Sequence, residues 1–225
     1  MIGLNRERKY VLRRYLLLMA GLSVMAFGVA FSIKADLGTS PISSVPYVVS
    51  LFAPLTVGTA TIVMHCVFIL LQILILRKDY HPIQLMQLPV AFFFGYLTDF
   101  GVWAVQGISY GSYWQQWILC LIGILLVAVG VSMEVKAGVV VLAGEGVVLA
   151  ICKVFPVKFG NMKVGFDVTL VATACVLSLL FTGRLQGVRE GTVAAALLVG
   201  QIAKRLGKHM ERWNLEEVEM DVKTK

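Results

Sequence analysis

Glu145 stands between Gly144 and Gly146, and apolar residues flank it for several positions on each side. An ionisable group in such a run costs roughly 2.5–3.5 kcal/mol to place in hydrocarbon, so it calls for a reason. The chemistry that a lone carboxyl there supplies is acceptance of a proton or a cation. Asp99 sits late in one apolar run, Asp167 near the start of another, and His65 inside a third, while Glu134 closes a fourth. Lys34 and Asp36 lead into Gly38-Thr39-Ser40-Pro41, which reads as a helix start with Ser40 as cap and Pro41 at the first helical position. Ser43 and Ser44 follow. These hydroxyls and free N–H groups suit a polar solute, and Lys34 and Asp36 are placed to gate or orient the loop. Lys34, Asp36, Ser40, Ser43, Ser44, His65, Asp99, Glu145 and Asp167 therefore form the candidate substrate or coupling site. A plainer reading stands beside it: Lys34 and Lys136 snorkel to an interface from helix ends, Asp99 and Asp167 lie near an interface, and His65 makes an interhelical hydrogen bond.

No enzymatic activity and no cofactor are expected. The sequence has no HExxH, no GxSxG, no phosphate-binding loop and no glycine fingerprint after a strand. Cys66, Cys120, Cys152 and Cys175 fall singly within apolar runs, without the spacing that zinc needs.

The elements that would carry these groups belong to a membrane. Of the 225 residues 58% are hydrophobic and 15% charged, against about 25% charged in a soluble domain. The runs Tyr15–Ile33, Gly58–Leu76 and Ile83–Val105 approach the roughly 20 apolar residues that cross a bilayer as a helix. Several such runs exclude a single anchor. Arg6, Arg8, Lys9, Arg13 and Arg14 precede the first run, but no small-residue cleavage site follows it, so a retained helix is expected. The net charge of +7 comes from basic residues at helix ends and does not argue for nucleic acid. The expected surroundings are a lipid bilayer; a small-molecule solute, a homo-oligomer or a membrane partner remain open.

Aligned with itself at an offset of 102, the chain places Gly21 on Gly123, Ala26 on Ala128, Gly28 on Gly130, Lys34 on Lys136 and Gly58 on Gly160. A further shift of three residues places Gly95 on Gly200. We therefore expect an all-α polytopic protein of two internal repeats. Residues 1–14 form a basic cytoplasmic N-terminus, 15–105 the first repeat and 106–116 an uncharged aromatic loop. Residues 117–203 form the second repeat and 204–225 a polar cytoplasmic tail. Each repeat has a long run, a short one and two more long ones: Tyr15–Ile33, Pro41–Ala53, Gly58–Leu76 and Ile83–Val105, then Trp117–Met133, Val139–Cys152, Val164–Phe181 and Gly191–Ala203. The short runs, broken by Pro46 or by Gly144 and Gly146, are too short to span and read as re-entrant or broken helices. Six full spans with inverted halves then put most of the basic residues inside, including Arg77, Lys78 and Lys136; eight full spans are the alternative and put those three outside. Both arrangements leave both termini in the cytoplasm. Trp103, Tyr110, Tyr113, Trp114 and Trp117 read as an interfacial belt.

The run Lys34-Ala35-Asp36-Leu37-Gly38-Thr39-Ser40-Pro41 resembles a stretch of the YczE/YyaS/YitT-type bacterial membrane proteins. Thr56-x-Gly58, Gln84-Leu85, Phe94-Gly95 and Asp99 fit the same pattern, and the likeness covers most of Met19 to Ala203. It implies an inner-membrane protein of a family whose biochemistry is poorly defined, with transport suspected. It marks Lys34, Asp36, Gly38, Ser40, Pro41, Gly58, Gly95 and Asp99 as pattern positions and gives none of them a role. The sequence thus points to a secondary-transporter-like protein for a small polar or amphipathic solute, with proton or cation coupling through Glu145. The alternative is a non-transporting accessory or regulatory membrane protein that acts through a partner.

Overall fold

A computed structural model describes residues 2–210, with side chains from residue 11 onward. The side chains of Arg6, Arg8 and Lys9 and the acidic stretch Glu216 to Asp221 lie outside the described residues. All regular structure among the described residues is helical. The α-helices are α1 (Ile2–Ala35), α2 (Pro41–Phe52), α3 (Val57–Leu76), α4 (Gln87–Ala104), α5 (Tyr113–Ala137), α6 (Ala143–Val154), α7 (Phe159–Thr182) and α8 (Glu190–Met210). Two short 3-10 turns, Arg77–Asp79 and Pro82–Met86, join α3 to α4.

Among the described residues five segments are long and apolar enough to cross a membrane: Val11–Ala35, Val57–Asp79, Pro82–Ala104, Tyr113–Ala137 and Phe159–Thr182. The protein is thus a helical membrane protein, with lipid as the natural surroundings of exposed apolar residues such as Leu74, Ile83, Val168 and Leu180. The sequence led us to expect a sixth full span near Gly191–Ala203. The helix is there, but Lys204, Arg205 and Lys208 occupy its last turns, and it does not rank with the other five on apolar length.

The two short runs fold as 12-residue helices, about 18 Å long at 1.5 Å per residue. Pro41 opens α2, where its missing N–H is no loss. Pro46 lies inside the same helix and cannot donate to the carbonyl of Ile42. The first turns of α2 and α6 meet, since a Cβ built on Gly144 would touch Ile42.

The centre of the molecule is the pair α1 and α5, which run antiparallel. A Cβ on Gly28 would lie 2.6 Å from the Val127 nitrogen, and one on Gly130 2.6 Å from the Gly21 carbonyl oxygen. Only glycine permits this approach, and small residues are what let membrane helices pack backbone to backbone. Arg14 Nε donates to the Ala137 carbonyl at 2.6 Å, tying the start of α1 to the end of α5. Helix α4 leans on α1 and α8 on α5; α2 lies against α7 and α6 against α3. The α3–α4 turn and the end of α6 share one end of the molecule, where Lys153 Nζ donates to the Asp79 carbonyl at 3.4 Å. The uncharged loop lies at the other, beside Lys34, and Trp103, Tyr113 and Trp114 are exposed there.

One buried amide is matched across three helices. Gln72 of α3 donates to Gln87 Oε1 of α4 at 2.9 Å and to the Ala143 carbonyl of α6 at 3.1 Å. Such pairing is required where water is absent.

Candidate functional site

A cavity of about 250 Å³ lies at the centre, and all eight α-helices contribute to its wall. Its walls are mostly apolar: Met25 and Val29 from α1, Phe94 from α4, Val127 and Val131 from α5, Val199 from α8. Its polar groups come from the short helices and their neighbours. Ser40 and Ser43 stand at the start of α2, Thr61 and His65 on α3, Glu134 at the end of α5, Glu145 in the first turn of α6, and Lys163 and Asp167 on α7.

Ser40 holds the N-cap position of α2, yet its hydroxyl does not cap the backbone. It donates instead to Ser43 Oγ at 3.0 Å, and its carbonyl accepts from the N–H groups of Ser43 and Ser44. Ser44 is fully buried and donates to the Pro41 carbonyl at 2.7 Å; it is not part of the cavity wall. His65 is 2% exposed, with its ring 6.2 Å from those of Phe68 and Phe94. Its Nδ1 has no hydrogen-bond partner, a costly state for a buried polar atom.

The other wall is acidic. Glu134 is 2% exposed, and its Oε1 accepts from the Leu142 N–H at 2.7 Å. A carboxylate therefore holds the start of α6, where helix dipole and free donors favour a negative group. Asp167 accepts from Lys163 Nζ at 2.5 Å, one helical turn away. Glu145 lies within electrostatic reach of Lys163, Asp167 and Glu134. The side chains of Lys163 and Asp167 keep 29% and 22% of their surface exposed, whereas His65 keeps 2%.

Besides Ser44, three of the residues expected at the site lie elsewhere. Asp99 anchors α3 to α4: its Oδ2 accepts from the Thr56 hydroxyl at 2.6 Å and its Oδ1 from the Gly58 N–H at 2.7 Å. Gly58 and Gly95 face each other at the same crossing, so three of the pattern positions belong to one helix contact. Lys34 donates to the Gln106 carbonyl at 2.9 Å in the uncharged loop. Asp36 is exposed, with a positive φ of 55°, and its carbonyl accepts from Arg189 at 2.8 Å. The structure therefore brings Ser40, Ser43, His65, Glu145 and Asp167 together and leaves Lys34, Asp36, Ser44 and Asp99 as structural ties. Among the described residues no cluster of histidine, cysteine or carboxylate side chains is fit to hold a metal.

The sequence reading did not include Glu134, Thr61 and Lys163 in the site. For Thr61 and Lys163 the offset of 102 carried the missing signal; Glu134 pairs with Ser32, which does not line the cavity. The same offset pairs Met25 with Val127, Val29 with Val131, Ser43 with Glu145, Thr61 with Lys163 and His65 with Asp167, and every one of these residues lines the cavity.

A family match runs over residues 12–208 and takes in every residue of the cavity wall. The chain belongs to a family of unknown function, DUF6198. Neither a curated protein nor a solved structure matches the chain. Membership in DUF6198 thus covers the whole bundle and leaves its chemistry to be argued from the cavity.

Asp99 gives a test of the division between tie and site. Asp99→Ala removes two acceptors from the α3 start, at a cost of about 1–2 kcal/mol. The expected result is a thermal midpoint lower by about 2–8 °C in detergent, measured by tryptophan fluorescence, with reagent access to the cavity retained. Loss of that access at unchanged stability would return Asp99 to the site.

Proposed function

We propose that this DUF6198 member is a secondary-transporter-like protein of the bacterial cytoplasmic membrane. It would carry a small polar or amphipathic solute, without enzymatic chemistry or a cofactor, through the central cavity. The observation that carries this reading is the cavity itself, which lies where two short broken helices meet start to start. In membrane transporters, substrate sites sit near the midplane between broken helices of paired repeats. A non-transporting accessory protein calls for a closed, packed centre instead.

Two inverted repeats, α1–α4 and α5–α8, are part of the proposal, with six spans, two re-entrant helices and both termini cytoplasmic. Two features support it. Helices α1 and α5 run antiparallel, whereas eight full spans require them parallel. Exchanging the halves turns the α1–α4 contact into α5–α8 and α2–α7 into α6–α3. The equivalence fails at α3–α4, which pack together while α7 and α8 form no comparable contact. The Lys34–Pro41 stretch supports a narrower kinship with the YczE/YyaS/YitT type.

Single cysteines test both topology and access, in the full chain lacking Cys66, Cys120, Cys152 and Cys175. Cysteines at Asp79 and Val157 are expected to react with an impermeant maleimide only from the cytoplasmic side. A cysteine at Ser43 is expected to react with a small water-soluble thiol reagent. Asp79 reacting from outside would mean eight spans, and an inert cysteine at Ser43 would sink the transport reading.

A further inference from the structure

The two sides of the cavity differ in charge although their positions correspond. Ser43, Thr61 and His65 come from the first half and are uncharged or ionise weakly; Glu145, Lys163 and Asp167 stand at the corresponding positions of the second. Glu134 adds another carboxyl to that wall, where the corresponding residue of the first half is Ser32. Lys163 answers Asp167 directly at 2.5 Å. The same Lys163 lies within electrostatic reach of Glu145 but is shared with Asp167, so one cation serves two carboxyls, and the N–H of Leu142 occupies only one oxygen of Glu134. Two carboxyls that share a cavity away from bulk water lack the hydration that a negative charge needs, and a positive guest supplies the missing partner.

A second and independent feature points to a ligand. His65 is 2% exposed, lines the same cavity and has an unpartnered Nδ1. An imidazole nitrogen can accept from an ammonium or exchange a hydrogen bond with a hydroxyl. The remaining wall is apolar, with Met25, Val29, Phe94 and Val131 around the centre. A cavity of roughly 150 Å³ takes a benzene molecule. The 250 Å³ found here leaves room for a ring or a short branched chain with one charged arm.

We propose that the cavity selects a monovalent organic cation: an amine or quaternary ammonium on a small apolar body, its charge toward Glu145 and Glu134 and its body against α1 and α5. This rests on the transport reading above and adds the substrate class to it. The start of α2 also lies at the cavity and favours anions by its dipole. So does the start of α6, and with Lys163 these two half charges amount to about two positive charges against the three carboxyls Glu134, Glu145 and Asp167, so a purely anionic solute is disfavoured.

The test reads charge preference without knowing the solute. A cysteine at Ser43, and separately one at Val131, is treated in the cysteine-free full chain with three methanethiosulfonates: trimethylammonioethyl, sulfonatoethyl and the neutral methyl compound. Each rate is divided by that of 2-mercaptoethanol in solution. The cationic reagent is expected to exceed the anionic one by roughly tenfold, the lower end of electrostatic focusing in a charged cleft. Glu145→Gln is expected to lower that ratio by about threefold or more, the neutral reagent serving as control for access. Asp167→Asn replaces it if Glu145→Gln does not fold. Equal rates, or a faster anion, overturn the cation proposal while access by the neutral reagent keeps the transport reading. Failure of all three reagents at both positions overturns the transport reading itself.

Discussion

Gly28→Leu is expected to cause the largest loss of stability of any single substitution in the α1–α5 pair. A Cβ at this position lies 2.6 Å from the Val127 nitrogen and 2.8 Å from Val127 Cγ2. The first of these is backbone and cannot turn aside, so the helices must separate. Helices in lipid are held by close van der Waals contact rather than by exclusion of water, and a separated pair loses what holds it. Overpacking costs about 1–3 kcal/mol and more where backbone must move. The upper end applies here, which corresponds to a thermal midpoint lower by about 6–12 °C. Gly165→Leu is the control: nothing lies within 4 Å of a Cβ at Gly165, although it too stands in a long membrane helix. The measurement is the thermal midpoint and gel-filtration profile of both variants in one detergent. Equal behaviour of the two would show that the α1–α5 approach is not what holds the bundle. Gly130 is the matching position, with a Cβ there 2.6 Å from the Gly21 oxygen and 2.8 Å from the Met25 nitrogen. Gly130→Leu is expected to act alike.

Glu134→Ala carries the second large effect. The side chain is 2% exposed and accepts from the Leu142 N–H at 2.7 Å. Without it that N–H is left at membrane depth with no acceptor from α5, at about 1–3 kcal/mol. Loss of the side chain also enlarges the cavity. The expected thermal midpoint is lower by about 3–10 °C. Glu134→Gln keeps an acceptor oxygen of the same reach and removes the charge, so it is expected to retain most of the stability. It is also expected to lower the preference of the cavity for the cationic reagent. The pair separates the two roles of this carboxyl: alanine reads the cap, glutamine the charge. Equal losses of stability in the two variants would mean that the charge, and not the hydrogen bond, holds α6 in place.

The positions of the helices were legible from local pattern. Hydrophobic runs such as Pro41–Ala53 and Val139–Cys152 became α2 and α6 with shifts of a few residues, because length and apolar content decide what a segment does in a bilayer. Pro41 marked a helix start for a reason internal to its own backbone. Glu145 was recognisable as an anomaly for the same local reason, since its neighbours are apolar whatever the fold.

What each polar residue does could not be read from its neighbours in the chain. Asp99 and Asp167 look alike in sequence, each a carboxylate near the end of an apolar run. Asp99 turned out to hold the start of α3, while Asp167 faces the cavity. The difference is set by which helix crosses at that level, and chain spacing does not encode a crossing. Glu134 closes its run and was given no place in the site; the return of the chain at 138–142 brings the Leu142 N–H onto it. Composition and periodicity by themselves determined that the chain is helical and made for a membrane, and where its helices break. Only the tertiary structure decided which polar side chains share a cavity and which are spent on holding helices together. Burial in lipid is a property of a segment, whereas a site is a property of segments that meet.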